Sequence, residues 1–278
     1  MSAAEPWHSQ DRHVVRLEWG PDGADPLARY AAEQGSRVIA VVVDVLSFTT
    51  CVSVAADRGI AVLPFPWRDD RAADFATAND AVLAQGRGVL DSSITLSPGT
   101  IRAAVGVERL VLPSPNGSTT SGRLAATGAT VLAASLRNRS AVAGWLAAQL
   151  VASPREDVVV LLVPSGERWT DGTLRPAVED LWGAGAVADA LVSSLDHRAG
   201  PLLLSPEAEA AVAAWQAAAV SLADHVAACA SGRELVESGW ADDVSVAAEL
   251  DSSAAVPVLV DGAFRDRATS LADGAPEC

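Results

Sequence analysis

Short runs of β-branched and aliphatic residues, each closed by a polar residue, punctuate the chain at residues 38–43, 110–113, 158–163 and 256–260. Residues 130–134 form a weaker fifth run. A strand with one wet face alternates apolar and polar positions, so unbroken apolar runs of this length fit strands covered on both faces, as in parallel sheets. Between them lie alanine-rich stretches with helical patterning at 49–58, 71–85, 118–127, 140–152, 179–195 and 207–230. Strand, loop and helix in alternation predict an α/β fold, a three-layer α/β/α arrangement with a mostly parallel sheet and right-handed crossovers. No internal repeat interrupts the pattern, and residues 1–278 read as a single α/β unit. Two lobes would part near 153–157 or 197–206, 64–68 is a further loop, and 267–278 read as a frayed polar tail.

Composition narrows the chemistry. Half the residues are hydrophobic and only 5% aromatic, so the core is built from Ala, Val and Leu, and disorder is excluded. The net charge is −15, and all 20 basic residues are arginine. Such a chain is repelled by phosphate backbones, which sets nucleic acid aside as a partner. The missing lysines remove Schiff-base chemistry, lysine-linked pyridoxal phosphate and the Walker lysine together. An anionic substrate therefore has to be held by arginine, backbone N–H groups or a cation.

The three cysteines, Cys51, Cys229 and Cys278, are scattered and fit a reducing compartment. Residues 1–20 contain no apolar core of the signal-peptide kind, and no apolar run reaches membrane-spanning length. The expectation is a cytoplasmic protein without membrane contact, free to form a homo-oligomer. His8, His13, His197 and His225 sit in no nucleophile–base context, and no G-x-S-x-G elbow exists, which argues against a Ser-His-Asp hydrolase.

Four polar clusters follow the predicted strands, where open α/β sheets bind ligands. The first is Asp44-Val45-Leu46-Ser47-Phe48-Thr49-Thr50. A carboxylate at a strand end with hydroxyls opening a helix suits Mg²⁺ beside an anion held by helix N–H groups. The competing reading makes Asp44 a helix cap. The second, Pro113 to Thr120, contains Asn116-Gly117-Ser118-Thr119, where Asn-Gly permits a positive-φ turn and the hydroxyls open another helix. The third, Pro164-Ser165-Gly166-Glu167-Arg168-Trp169, offers Arg168 as an anion clamp and Glu167 to reach a metal or orient that arginine; a solvated loop is the plainer reading. The fourth carries Glu179-Asp180 in the first turn of a helix, where acids are ordinary dipole partners. Its Gly183 and Gly185 lie inside the helix and suggest close helix packing rather than dinucleotide binding.

Taken in order, the motifs resemble the 2-phosphosulfolactate phosphatase family. That family carries D-V-L-R-A-[ST]-T after a strand, N-S-P or L-S-P, N-G-[ST], and an E-D-x-x-[GA]-A-G helix. The counterparts are Asp44 to Thr50, Leu96-Ser97-Pro98, Asn116-Gly117-Ser118, and Glu179-Asp180 through Gly185. Gly232-Arg233-Glu234-Leu235, Gly239 to Asp243, and Val256-Pro257 match its ending. The resemblance implies an α/β fold and Mg²⁺-dependent hydrolysis of 2-phospho-3-sulfolactate in coenzyme M synthesis. It implies Asp44, Glu179 and Asp180 as carboxylates toward Mg²⁺, with Asp44 as metal ligand or nucleophile. Ser47, Thr49, Thr50, Asn116, Gly117, Ser118, Thr119 and Arg168 are then expected to hold the phosphorylated acid.

One departure stands out: the family's arginine after D-V-L is Ser47 here. Arg168, Arg137 and Arg139 are candidates to replace it, Phe48 and Trp169 candidates to fill its space. Restoring arginine at position 47 is expected to improve turnover of the sulfonated substrate. The alternatives are a noncatalytic anion-binding homologue and a hydrolase of another small acidic metabolite.

Overall fold

The computed structural model describes residues 8–66, 71–89, 94–154, 157–195 and 202–267. Nine strands form one sheet. In chain order they are β1 Val15–Leu17, β2 Arg37–Val43, β3 Ala61–Phe65, β4 Val82–Leu83, β5 Arg109–Pro113, β6 Thr130–Ala134, β7 Val158–Pro164, β10 Pro257–Val260 and β11 Ala263–Asp266. Their order across the sheet is β1-β7-β2-β6-β10-β11-β3-β5-β4. The blocks β1-β7-β2-β6 and β3-β5-β4 are each parallel, and the antiparallel hairpin β10–β11 joins them. The expected three-layer, mostly parallel architecture is therefore observed. A separate small hairpin, β8 Glu167–Arg168 with β9 Leu174–Arg175, follows β7.

Burial on both faces explains the unbroken apolar runs. In β2, Ile39, Val41 and Val43 join a core with residues of α6 Arg139–Val151, α7 Val178–Ser194 and α8 Pro206–Ala219. Val38, Ala40 and Val42 pack on the other face with α1 Gly20–Glu33, α2 Phe48–Asp57 and α5 Gly117–Ala125. Gly183 and Gly185 are in α7 for the packing reason expected. A Cβ at Gly183 would lie 2.7 Å from Val43 Cγ1, and one at Gly185 would lie 2.0 Å from the Ala211 carbonyl oxygen of α8.

The structure departs from the sequence pattern in several elements. The stretch 71–85 divides into α3 Arg71–Ala78 and β4, because Asp80 turns the chain at φ 49°. The alanine-rich stretch 207–230 is not one helix. It divides into α8, α9 Leu222–Ala228 and the start of α10 Ala230–Glu237, with breaks at Ser221 and Cys229. Strand β3 runs through Pro64, in what reads as a loop, and β11 pairs with it only at Val62. The remaining helices, α4 Pro98–Ala103 and α11 Ala241–Ala247, are short. Both of these, with β1, α1 and β11, lie in stretches where the pattern placed none. Residues 155–156, 196–201 and 268–278, which include parts of both lobe boundaries and most of the tail, lie outside the described residues. No helix among the described residues is long and apolar enough to cross a membrane.

Candidate active site

A cleft of about 250 Å³ opens where the segments after β2, β4, β5 and β7 meet α10. Asp44, Ser47 and Phe48 line it from the first segment, Arg87 from the second, Ser114 and Asn116 from the third and Glu167 from the fourth. Ser231, Glu234 and Leu235 of α10 close the rim. The volume lies below the range of drug-sized pockets and suits a small metabolite.

Asp44 is the hub. Its Oδ1 accepts from the Phe48 N–H at the start of α2 (3.1 Å), and its Oδ2 from the Gly117 N–H at the start of α5 (2.9 Å). One carboxylate thus caps two helices from separate parts of the sequence while facing the cleft, so the two competing readings of Asp44 describe one side chain. Gly117 serves this contact rather than a turn: its φ is not positive. A Cβ there would lie 2.2 Å from Phe48 Cδ1 and 2.8 Å from Asp44 Oδ2. The expected positive-φ Asn-Gly turn is replaced by a close approach that only a residue without a side chain permits.

Three further carboxylates surround Asp44. Asp180 accepts from the Val45 N–H (2.7 Å) and the Gly166 N–H (2.9 Å), tying α7 to the ends of β2 and β7. Glu167 accepts from Asn116 Nδ2 at 2.8 Å. Glu179 is buried at the start of α7 and acts electrostatically on Asp44, Asp180, Glu167 and Cys229. Burial pushes Asp44 up to about 6, opposed by the two N–H donors and by Arg87, and assisted by Glu179. Burial, then repulsion from Asp44, raises Glu167 to about 7 against the pull of Asn116 and Arg175. Asp180 is raised well above the usual carboxylate range by burial and by repulsion from Asp44 and Glu179. The cluster is short of positive charge.

The other expected contacts distribute unevenly. Thr49 and Thr50 are buried, and their hydroxyls bond to the Asp44 and Val45 carbonyls. Ser118 is likewise buried and bonds to the Leu112 carbonyl. These three hold the loops rather than line the cleft, and Thr119 also lies off its lining. Glu179 and Asp180 stand behind Asp44, outside the lining. Arg168 is exposed on the β8–β9 hairpin and donates to the Gly172 carbonyl, so the anion clamp expected there is not in the cleft. Arg137 pairs with Asp57 and Glu249, and Arg139 with Asp251 while lying over the Trp215 ring. The arginine that does reach the cleft is Arg87, absent from the sequence-based candidates because no motif flanks it. Its Nη2 donates to Ser47 Oγ at 2.6 Å, so a guanidinium already borders the side chain standing in for the family arginine.

Cys51 also lines the cleft, but burial pushes its thiol up to about 12, which keeps it protonated and a poor nucleophile. Among the described residues no group of three or more His, Cys, Asp and Glu side chains is arranged to hold a metal ion.

The family model described as 2-phosphosulpholactate phosphatase matches residues 28–262. This chain belongs to the 2-phosphosulfolactate phosphatase family. A curated relative from Deinococcus radiodurans, described as a probable 2-phosphosulfolactate phosphatase, is 30% identical over 233 residues, covering 81% of this chain and 88% of that protein. Family membership makes this phosphatase a phosphoric monoester hydrolase, and the match spans every segment that lines its cleft.

Proposed function

We propose that the cleft hydrolyses a small phosphorylated acid, 2-phosphosulfolactate or a close analogue, with the help of Mg²⁺ bound beside Asp44. The observation that carries this reading is the buried surplus of negative charge at Asp44, Glu167, Glu179 and Asp180, with carboxyls pushed to about 6 and 7. A divalent cation relieves that repulsion, and Ser165 Oγ, buried beside the Gly166–Asp180 contact, has no partner among the described residues. The donor set fits Mg²⁺, which keeps several waters and takes one or two carboxylates rather than a full protein cage. Asp44 would hold it, with Glu179 and Asp180 adding negative charge behind Asp44 and Asp180 holding the adjacent Val45 N–H. When bound, Mg²⁺ would polarise the phosphoryl group and lower the pKa of water.

The chain's own groups supply the rest. Glu167, held by Asn116, can take a proton near neutral pH and is placed to act as general base toward an attacking water. Asp44, with an N–H donor on each oxygen, is fixed as a ligand more readily than it is freed as a nucleophile. Arg87 restores a cation to the cleft, which removes the motive for the noncatalytic alternative. The test is phosphate release from 2-phosphosulfolactate with Mg²⁺ and after exhaustive chelation. Release that stops with EDTA and returns with Mg²⁺ is expected. Undiminished release in chelator rejects the metal, and no release from any phosphorylated hydroxy acid rejects the substrate class.

A further inference from the structure

Arg87 is the one arginine among the described residues that lines the cleft, and it is held there by a dedicated set of contacts. It follows β4 by four residues, far in sequence from the groups that fix it. Its Nε donates to Asp243 Oδ2 at 2.8 Å, and Nη2 donates to Ser47 Oγ at 2.6 Å. The Asp243 side chain is only 3% exposed, and its other oxygen accepts from the Ser97 hydroxyl. Nη1 has no hydrogen-bond partner among the described residues, and the side chain remains 20% exposed. Two edges of the guanidinium are thus spent on orientation and a third is left over.

An arginine–aspartate pair taken this far out of water is a poor source of stability, because desolvation offsets most of the attraction. Its arrangement makes more sense as orientation. A planar fork held by Asp243 and Ser47 presents its remaining donor in a fixed direction, the property that suits arginine to anionic oxygens. The remaining charges lining the cleft, Asp44, Glu167 and Glu234, are all acidic. An anion entering here meets favourable charge at Arg87, and would meet it also at the Mg²⁺ proposed beside Asp44.

Building on the phosphatase reading above, we propose that Arg87 is the specificity-determining residue of the cleft. Through Nη1 it binds a second anionic group of the substrate, a carboxylate or sulfonate on the carbon skeleton that carries the phosphate. Asp243 and Ser97 are its positioning residues. The enzyme then selects phosphorylated acids over phosphate esters that lack the second charge, using an arginine contributed by the β4 loop instead of position 47.

The experiment compares wild type, Arg87→Ala and Arg87→Lys on 2-phosphosulfolactate, its carboxylate-only analogue 2-phospholactate, and p-nitrophenyl phosphate, which has no second acid. Circular dichroism confirms folding. The expected result is a ten- to hundredfold fall in the ratio of kcat/KM for the phosphorylated acids to that for the aryl ester in Arg87→Ala, carried mainly by KM. The lysine variant, which keeps the charge but not the fork, should lie between. A sulfonate reader loses most on 2-phosphosulfolactate, a carboxylate reader equally on both acids. Equal falls on all three substrates would place Arg87 on the phosphoryl group and overturn the proposal. Calorimetric binding of free 3-sulfolactate and lactate gives a readout without turnover: binding lost in Arg87→Ala supports the proposal, and unchanged binding overturns it. Wild type that binds these acids but hydrolyses none of the esters would fail the phosphatase reading alone.

Discussion

At the residue scale the site depends on a few side chains that do two things at once. Asp44 caps α2 and α5 and faces the cleft, so Asp44→Asn should act on both levels. On the proposed reading the loss of the carboxylate would remove the anchor for Mg²⁺, and kcat/KM should fall at least ~10²-fold. The Mg²⁺-induced rise in Tm should vanish with it, and a variant that keeps both would make Asp44 a cap alone. Ser47→Arg now has an expected outcome opposite to the one the family pattern suggests. The Ser47 hydroxyl already receives the Arg87 guanidinium, so a second guanidinium would meet like charge and displace it. Turnover of the sulfonated substrate should drop, and a gain would show that the two arginines are interchangeable. Gly117→Ala tests the close approach: a methyl 2.2 Å from Phe48 Cδ1 must push α5 from Asp44, costing about 1–3 kcal/mol by denaturant melts, with activity falling too.

At the element scale, the glycines of the helices sort by what surrounds them. Gly185→Ala places a methyl 2.0 Å from a backbone oxygen of α8, an atom that cannot rotate away. It should prise α7 from α8, destabilise by more than about 2 kcal/mol, and disturb the Asp180 bridge in the first turn of α7. Gly144 in α6 meets nothing within 4 Å and is exposed. Gly144→Ala should stabilise by roughly 0.5–1 kcal/mol, the ordinary helix gain. Equal Tm changes in the two variants would mean that α7 does not pack as described. These helices explain part of what the pattern concealed. The 207–230 stretch has uniformly favourable helix composition, and its breaks at Ser221 and Cys229 are set by folding back: a Cβ at Gly232 would lie 1.9 Å from the Val226 oxygen. Likewise α1 contains Gly23 and Pro26, poor interior helix residues, and forms because one face buries Ala24, Leu27, Ala28 and Ala31.

At the scale of the whole molecule the acidic cluster links stability to pH and, on the proposed reading, to Mg²⁺. Asp44, Glu167 and Asp180 have folded-state pKa values above their ordinary ones, so the folded protein binds more protons than the unfolded chain between about pH 4 and 7. Their contribution to stability is complete below the unfolded pKa values near 4 and is lost as pH rises through about 6 to 7. Glu249, lowered by Arg102 and Arg137, works in the opposite sense and contributes to the acid limb. Metal-free protein should therefore show a Tm that declines from about pH 5 to 7.5. Added Mg²⁺ should raise Tm progressively more across that window, since it replaces the departing protons. A Tm flat with pH, or a Mg²⁺ effect independent of pH, would contradict the charge deficit.

The same scale separates what the sequence determined from what the tertiary structure decided. Runs buried on both faces have to be uniformly apolar, so the strands at 38–43, 110–113 and 158–163 were legible with their helices, and with them the layered architecture. Asp44, Ser47 and Asn116 were legible too, because each sits directly after such a strand within a motif. Arg87 was not. It follows a two-residue strand in a stretch without periodicity, and only the packing of α11 and the position-47 loop against it makes it part of the cleft. Nor could the chain order show that Arg168 turns away on its hairpin, or that Thr49, Thr50 and Ser118 spend their hydroxyls on carbonyls. Local pattern reports whether a segment is covered by the core. Which polar atoms face the same space depends on contacts between residues as far apart as Asp44 and Gly117 or Arg87 and Asp243, and only the folded chain brings those together.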